Sequence, residues 1–293
     1  MNVNECPMLV SSSDAYADIW PAFFHILKRE WPEYRGKIVL NTDRRDFSFD
    51  GLDIVCTHAC GDGRHPFGTT LKRSLDAVPG DVFLMMMIDY FLEGPVDTAG
   101  LQRYLDAFLA GGASAFFLLP QIAPSNPVPG SSDIDEMDIP KASGFAIQTL
   151  FSFQAAFWRK GEMRRFVADW EDPWFAEYFG CRRAQILKPR FWKLSDSARL
   201  PIPYDRSGVL HGGGKWLMKS VGRIDFTGVP IDLEKSKSER GICKESAHPY
   251  LSRLPHELHR LPARILMWLR SAIQLRSMDD RPPSAGWSAE ILV

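Results

Sequence analysis

The chain predicts an α/β fold, a mostly parallel sheet with helices on both faces. Three observations carry this expectation. Short apolar runs alternate with helical stretches over roughly the first 120 residues, the pattern of a parallel sheet wound between helices. The run from Val82 to Ile88 is apolar without interruption, as a strand covered on both faces must be. Polar residues gather directly after these runs, at the edge where open α/β sheets hold their ligands.

Taken in order, Met8-Leu-Val10 is the first strand, and Ser11-Ser-Ser-Asp14 is a polar turn after it. A helix follows over Asp18–Glu30, with Trp20, Phe23, Phe24 and Leu27 on one face and Pro21 tolerated in its first turn. Lys37-Ile-Val-Leu40 is a second strand ending at Asn41-Thr-Asp43, and Leu52–Cys56 a third ending at Thr57-His58. Phe67–Val78 reads as a helix carrying Lys72 and Arg73, and Asp81–Ile88 as the fourth strand, ending at Asp89. Val96 to about Leu109 has Leu101, Tyr104, Leu105 and Phe108 at helical spacing; Gly111-Gly112 closes it before a fifth strand, Ala115–Leu119. From Pro120 to Ser143, Pro, Ser, Gly and Asp dominate, which predicts a long loop. Phe145–Phe157 reads as a strand leading into a helix that continues over Arg159–Val167.

The last segment differs in character. Between His248 and Arg276 stand Arg253, Arg260, Arg264, Arg270 and Arg276 against a single acid, Glu257. Arg264–Arg276 is an amphipathic helix candidate with a basic face, suited either to an anionic membrane surface or to docking on the domain with solvated arginines. The expected organisation is a catalytic-type domain over 1–245 and a basic helix and tail over 246–293.

Composition narrows the function classes. With 293 residues, 45% hydrophobic and 24% charged, the chain has the makeup of an ordinary globular protein with a substantial core. A formal charge of −1 gives no general pull towards nucleic acid, and no nucleic-acid partner is expected. The odd set Cys6, Cys56, Cys60, Cys181 and Cys243 lacks a framework spacing and reads as reduced thiols. Cys56, His58 and Cys60 lack a second ligand pair at zinc-site spacing. The N-terminal stretch lacks the basic and apolar regions of a signal peptide, and no window reaches the ~20 apolar residues of a membrane span. A cytoplasmic protein, peripheral at the inner face of the membrane if the basic helix binds there, is the expectation. No Gly-x-Gly-x-x-Gly follows the first strand, and neither a P-loop nor a Gly-x-Ser-x-Gly elbow occurs. That tells against dinucleotide-dependent dehydrogenases, P-loop NTPases and α/β-hydrolases.

The strand ends place Ser11, Ser12, Ser13, Asp14, Asn41, Thr42, Asp43, Thr57, His58 and Asp89 along one edge. Hydroxyls, amides and carboxylates there suit a base and a ribose, and Asp89 suits a divalent cation (Mn²⁺ or Mg²⁺) holding a diphosphate. Each of them is also a common turn former or helix cap. Lys72 and Arg73 are candidate phosphate contacts or a solvated helix face.

Several segments together resemble the bacterial glycosyltransferases of polysaccharide and lipopolysaccharide clusters. They are Leu9–Tyr16, Ile19–Phe24 with Trp31-Pro32, Ile88-Asp-Tyr-Phe91, Ser152–Trp158, Trp174–Glu177 and His211–Trp216, in that order over roughly residues 8 to 220. The resemblance implies a GT-A-like, Rossmann-like fold: a nucleotide-binding half over 8–120, and an acceptor half with a glycine-rich loop over 144–220, on one sheet. It implies a nucleotide-sugar donor, a glycan or lipid-linked acceptor, and Asp89 as the surviving carboxylate of an Asp-x-Asp-like metal site, Ile88 standing where the group often has a first aspartate. Tyr90 joins the donor contacts beside it.

Glycosyl transfer releases a nucleoside diphosphate whose charge must be neutralised. Asp89 is expected to hold a metal with His211 completing its shell, and Lys215 to contact the diphosphate from the glycine run Gly212–Gly214. An inverting transfer needs a carboxylate to take the acceptor proton, and Glu177 leads for this role, with Glu171 and Asp172 as competitors. Aromatic neighbours such as Trp174 are expected to stack on an acceptor sugar, and Ser152 and Gln154 to hydrogen-bond it. Two alternatives remain open: a non-catalytic nucleotide-sugar-binding scaffold of the same fold, and a nucleotidyltransferase.

Overall fold

Strand β1 (Met8–Ser11) is the pivot of the sheet, paired in parallel with β2 (Lys37–Leu40) on one side and β4 (Val82–Met87) on the other. The computed structural model describes residues 1–61, 63, 65–139, 150–204 and 224–229, and the backbone of 209–212 and 215–218. Beyond β2 lies β3 (Asp53–Cys56), also parallel. On the other side of β4 come β8 (Ala156–Arg159), β5 (Ala115–Phe117), β9 (Phe191–Leu194), β7 (Ile134–Met137) and β6 (Ser125–Pro127), giving the order β3-β2-β1-β4-β8-β5-β9-β7-β6. β8 is antiparallel to both of its neighbours and β7 to both of its own, so every other strand of this sheet points the way β1 does. The sheet is therefore mostly parallel, as expected, and its two halves are continuous.

Helices cover both faces. Met8, Val10, Leu84 and Met86 point into a layer with α1 (Trp20–Glu30) and α3 (Thr98–Gly111). Leu9, Phe83 and Met85 point into the opposite layer with α2 (Phe67–Ala77), α4 (Lys160–Arg165) and α5 (Pro173–Leu187). Alternate residues of β4 thus meet different helices, which is why its sequence is apolar at every position. α3 is closed at both ends by local chemistry. Asp97 accepts from the Gly100 amide at its start, and Gly112 turns left-handed (φ 68°) at its end.

Three expectations are corrected. Where a long loop is expected over 120–143, β6 and β7 pair antiparallel and extend the sheet edge. β6 is outermost, where Pro127 disrupts no ladder. Arg159 ends a strand instead of continuing a helix, which starts at Lys160; β8 is buried on both faces, so its apolar run carried no period to separate strand from helix. β9 was not foreseen, because buried Lys193 interrupts its apolar pattern; its Nζ donates to the Gln121 carbonyl at 2.7 Å. Residues 246–293, which include the helix expected over Arg264–Arg276, lie outside the described residues. No helix among the described residues is long and apolar enough to cross a membrane.

Candidate functional site

The connection after β1 runs to β2 on one side of it, and the connection after β4 runs to β5 on the other side. Two neighbouring strands whose connections diverge leave a crevice at their carboxyl ends, the usual ligand position in open α/β sheets. A cavity of about 510 Å³ opens there. Its floor and near wall are Ser11, Ser12, Ser13, Ala15 and Tyr16 from the end of β1, and Met87, Ile88 and Asp89 from the end of β4. Asp43 and Arg44 come from the turn after β2, and Cys60, Gly63 and His65 from the loop after β3. Phe67 and Thr70 of α2 and Pro173 at the start of α5 close the far side.

Ser11, Ser12, Ser13 and Asp89 line the cavity. The Ser12 hydroxyl accepts from Trp20 Nε1 at 2.7 Å, so it also fixes α1 against this loop. Asp14 turns away. Its carboxylate accepts from the amides of Asp43 (2.9 Å), Arg44 (3.0 Å) and Arg45 (3.2 Å), while its own amide donates to Asp43 Oδ2 at 3.1 Å. Asn41 lies beneath the site, 1% exposed; Thr57 Oγ1 lies 3.5 Å from its Oδ1. Thr42 and Thr57 belong to the same buried hydrogen-bond group, with Ser74. Lys72 is buried on α2 and paired with Asp169 at 2.8 Å, and Arg73 donates to the Ala59 carbonyl at 2.7 Å. His58 pairs with Asp46 at 2.8 Å on the surface.

Tyr90 stands beside the cavity in a polar bracket. Gln154 Nε2 donates to its hydroxyl at 2.9 Å, Tyr204 donates to Gln154 Oε1 at 2.8 Å, and the two tyrosine rings stack at 5.3 Å. Burial and the nearby Asp89 charge push the Tyr90 hydroxyl well above its ordinary value, and Tyr16 is raised for the same two reasons. Both therefore stay neutral donors beside Asp89. Ser152 receives a 3.4 Å contact from Gln121 Nε2. Trp174, next in chain to the cavity-lining Pro173, is 79% exposed.

The three carboxylate candidates on and before α5 separate cleanly. Glu171 is fully buried, gripped by both arms of Arg183 and by the Ala168 amide at 2.8 Å. Asp172 caps α5 by accepting from the Phe175 amide at 2.8 Å. Glu177 keeps one oxygen on the Phe153 amide at 2.9 Å, and burial raises its carboxyl above the usual range. It lies close enough to Tyr90 for its charge to raise that hydroxyl too.

His211 and Lys215 fall in an antiparallel hairpin, β10 (Val209–Gly212) and β11 (Lys215–Met218), a separate two-stranded sheet; their side chains lie outside what is described. Flanking residues tie to the segment after Asp89: Tyr204 bridges Leu92, and Phe226 packs on Phe91 at 6.1 Å. No cluster of three or more His, Cys, Asp and Glu side chains forms a cage among the described residues. Asp89 alone suits a different mode, in which Mg²⁺ or Mn²⁺ is held by one or two carboxylates and completed by substrate phosphates and water.

Tyr16, Arg44, His65 and Thr70 line the cavity without any sequence pattern that marks them out individually. Arg44 and His65 belong to turns, where cations are common and no spacing marks them. Tyr16 stands in the Leu9–Tyr16 segment and was the more discoverable of the four.

No protein-family model matches the chain, and no curated protein matches it. Among solved structures it is similar to S. aureus TarS 1–349 in complex with UDP-GlcNAc, with 14% identity, 71% of this chain covered and a TM-score of 0.42. For the same fragment in complex with UDP the figures are 14%, 66% and 0.43. An apo UDP-glucose pyrophosphorylase is similar over 69% of this chain and 92% of that one, with 7% identity and a TM-score of 0.39. The chain spans 60% of the TarS 1–349 fragment in its UDP-GlcNAc complex and 36% of TarS itself.

Proposed function

We propose that this chain is a nucleotide-sugar-dependent glycosyltransferase of GT-A-like design that extends a surface polysaccharide or a lipid-linked glycan. The observation that carries the reading is the cavity at the β1/β4 divergence, where Ser11–Ser13, Asp43, Arg44, His65 and Asp89 converge. Its volume of about 510 Å³ falls in the range of small-molecule sites. Hydroxyls and the Asp43 carboxylate on the β1/β2 side suit the nucleoside, Arg44 and His65 suit its phosphates, and Asp89 suits a cation that would hold the diphosphate.

In the reaction an acceptor hydroxyl attacks the anomeric carbon while the bond from that carbon to the diphosphate oxygen breaks. The nucleoside diphosphate leaves with the electron pair. Glu177, with one oxygen fixed by Phe153, takes the acceptor proton; Trp174 offers the acceptor an exposed ring face. Tyr90, held by Gln154, donates towards the charge that develops beside Asp89. A divalent cation at Asp89 would supply further neutralisation of the diphosphate.

Asp89→Ala should abolish sugar transfer and donor hydrolysis while leaving the fold intact by circular dichroism. Undiminished transfer by that variant would remove Asp89 from the mechanism. A second reading, a nucleotide-sugar-binding scaffold, rests on Ile88 lining the cavity where related motifs carry an acid; it predicts nucleotide binding without turnover in the wild type. The Arg264–Arg276 segment is proposed to rest on anionic lipid. Co-sedimentation with anionic vesicles should weaken with added salt, whereas salt-independent binding would contradict an arginine-driven attachment.

A further inference from the structure

The turn after β2 presents three successive backbone amides, at Asp43, Arg44 and Arg45, to one point in space. Three convergent N–H groups make an anion-binding concavity of the kind that elsewhere cradles phosphate. Here the anion is internal: the Asp14 carboxylate fills the concavity with bonds of 2.9, 3.0 and 3.2 Å. Asp43 reciprocates by accepting from the Asp14 amide at 3.1 Å, so the turns after β1 and β2 are clasped from both sides. A second fastening comes from the loop after β3. The Cys60 amide donates to the Asp43 carbonyl at 3.0 Å, the Ala59 amide donates to the Thr42 carbonyl at 2.8 Å, and Arg44 Nε donates to the Cys60 carbonyl at 3.2 Å.

We infer that Asp14 is a positioning residue: it occupies the amide concavity so that the anionic part of the ligand is received by the Arg44 side chain. Arg44 is thereby fixed at its backbone by Asp14 and at Nε by Cys60, and lines the cavity. A cation immobilised before binding loses less freedom when it engages phosphate, and the planar guanidinium fork suits phosphate oxygens. The ligand class is an anion-bearing nucleotide. The inference rests on the nucleotide-sugar reading for that class, but the clasp itself is independent of it.

Two measurements separate the two claims. Native-state hydrogen exchange should show the amides of Asp43, Arg44 and Arg45 protected in the wild-type chain and exposed in Asp14→Ala, with β1 and β4 amides unchanged. Fast exchange at 43–45 in the wild type would overturn the clasp whether or not any nucleotide binds. Calorimetry with UDP and GDP should then give at least a tenfold loss of affinity for Arg44→Ala and a similar loss for Asp14→Ala. The double variant should be no weaker than Arg44→Ala alone, since Asp14 acts through Arg44. Asp14→Asn, which keeps one acceptor oxygen, should recover part of the affinity. Additive losses, or Asp14→Ala binding as the wild type does, would overturn the positioning role. If the wild type binds neither nucleotide while the exchange pattern holds, the nucleotide-sugar reading fails and the clasp stands.

Discussion

A single carboxyl group shows how burial sets chemistry here. Glu177 is largely withdrawn from water and accepts from the Phe153 amide, and loss of hydration outweighs that hydrogen bond, so its carboxyl is raised. Because its proton is held more tightly in the folded than in the unfolded chain, its contribution to stability is full below the unfolded value of about 4.3 and is lost as pH rises through the folded value. Glu177→Gln removes that loss. The melting-temperature difference, variant minus wild type, should therefore be more positive at pH 7 than at pH 4. Equal differences at the two pH values would show that the carboxyl is not raised. The proposed role as acceptor base requires the same group to be ionised, and it predicts that kcat climbs with pH on an acid limb lying above the ordinary carboxylate value. At this scale the sequence was informative about residue type and poor about partners. Ser11–Ser13 and Asp89 line the cavity as their place after apolar runs suggested. By its place after β1 Asp14 is expected to contact the ligand, yet it bonds amides 29 to 31 positions away, a pairing set by how the turns meet.

At the scale of elements, the connection between α4 and α5 fastens the two halves of the sheet together beside the cavity. The Gly68 amide donates to the Glu171 carbonyl at 2.9 Å and the Thr69 amide to the Asp169 carbonyl at 3.0 Å, joining the start of α2 to the start of α5. Gly68 has no alternative: a Cβ built there would lie 1.8 Å from the Ala168 carbonyl oxygen. Beneath this contact the Glu171–Arg183 pair is 0% and 2% exposed at its side chains. Burial drives Glu171 towards the neutral acid and the Arg183 fork draws it back. Breaking such a pair from one side leaves an uncompensated buried charge. Arg183→Met should therefore cost about 3–5 kcal/mol in urea unfolding, whereas the double replacement of Glu171 and Arg183 by Met should cost far less. A single variant no worse than the double would refute the ion-pair account. The elements themselves were legible where their period was clear, as in α1, α2, α3 and the first four strands. β8 and β9 were not, because the first is apolar throughout and the second is broken by Lys193.

For the whole molecule, one sheet carries both the β1/β4 crevice and the α5 surface beside it, with Pro173 belonging to the cavity and Trp174 to the exposed face. The fold class followed from the alternation of strands and helices. The strand order did not, since nothing local says that β8 inserts antiparallel between β4 and β5. The central claim is that the β1/β4 crevice binds a nucleoside diphosphate at Asp89. Calorimetry of the full chain with UDP and with GDP, each with and without Mn²⁺, tests it most directly. Binding of one nucleotide, strengthened by Mn²⁺ in the wild type but not in Asp89→Ala, is the predicted result. Failure of both nucleotides to bind under either condition would contradict it.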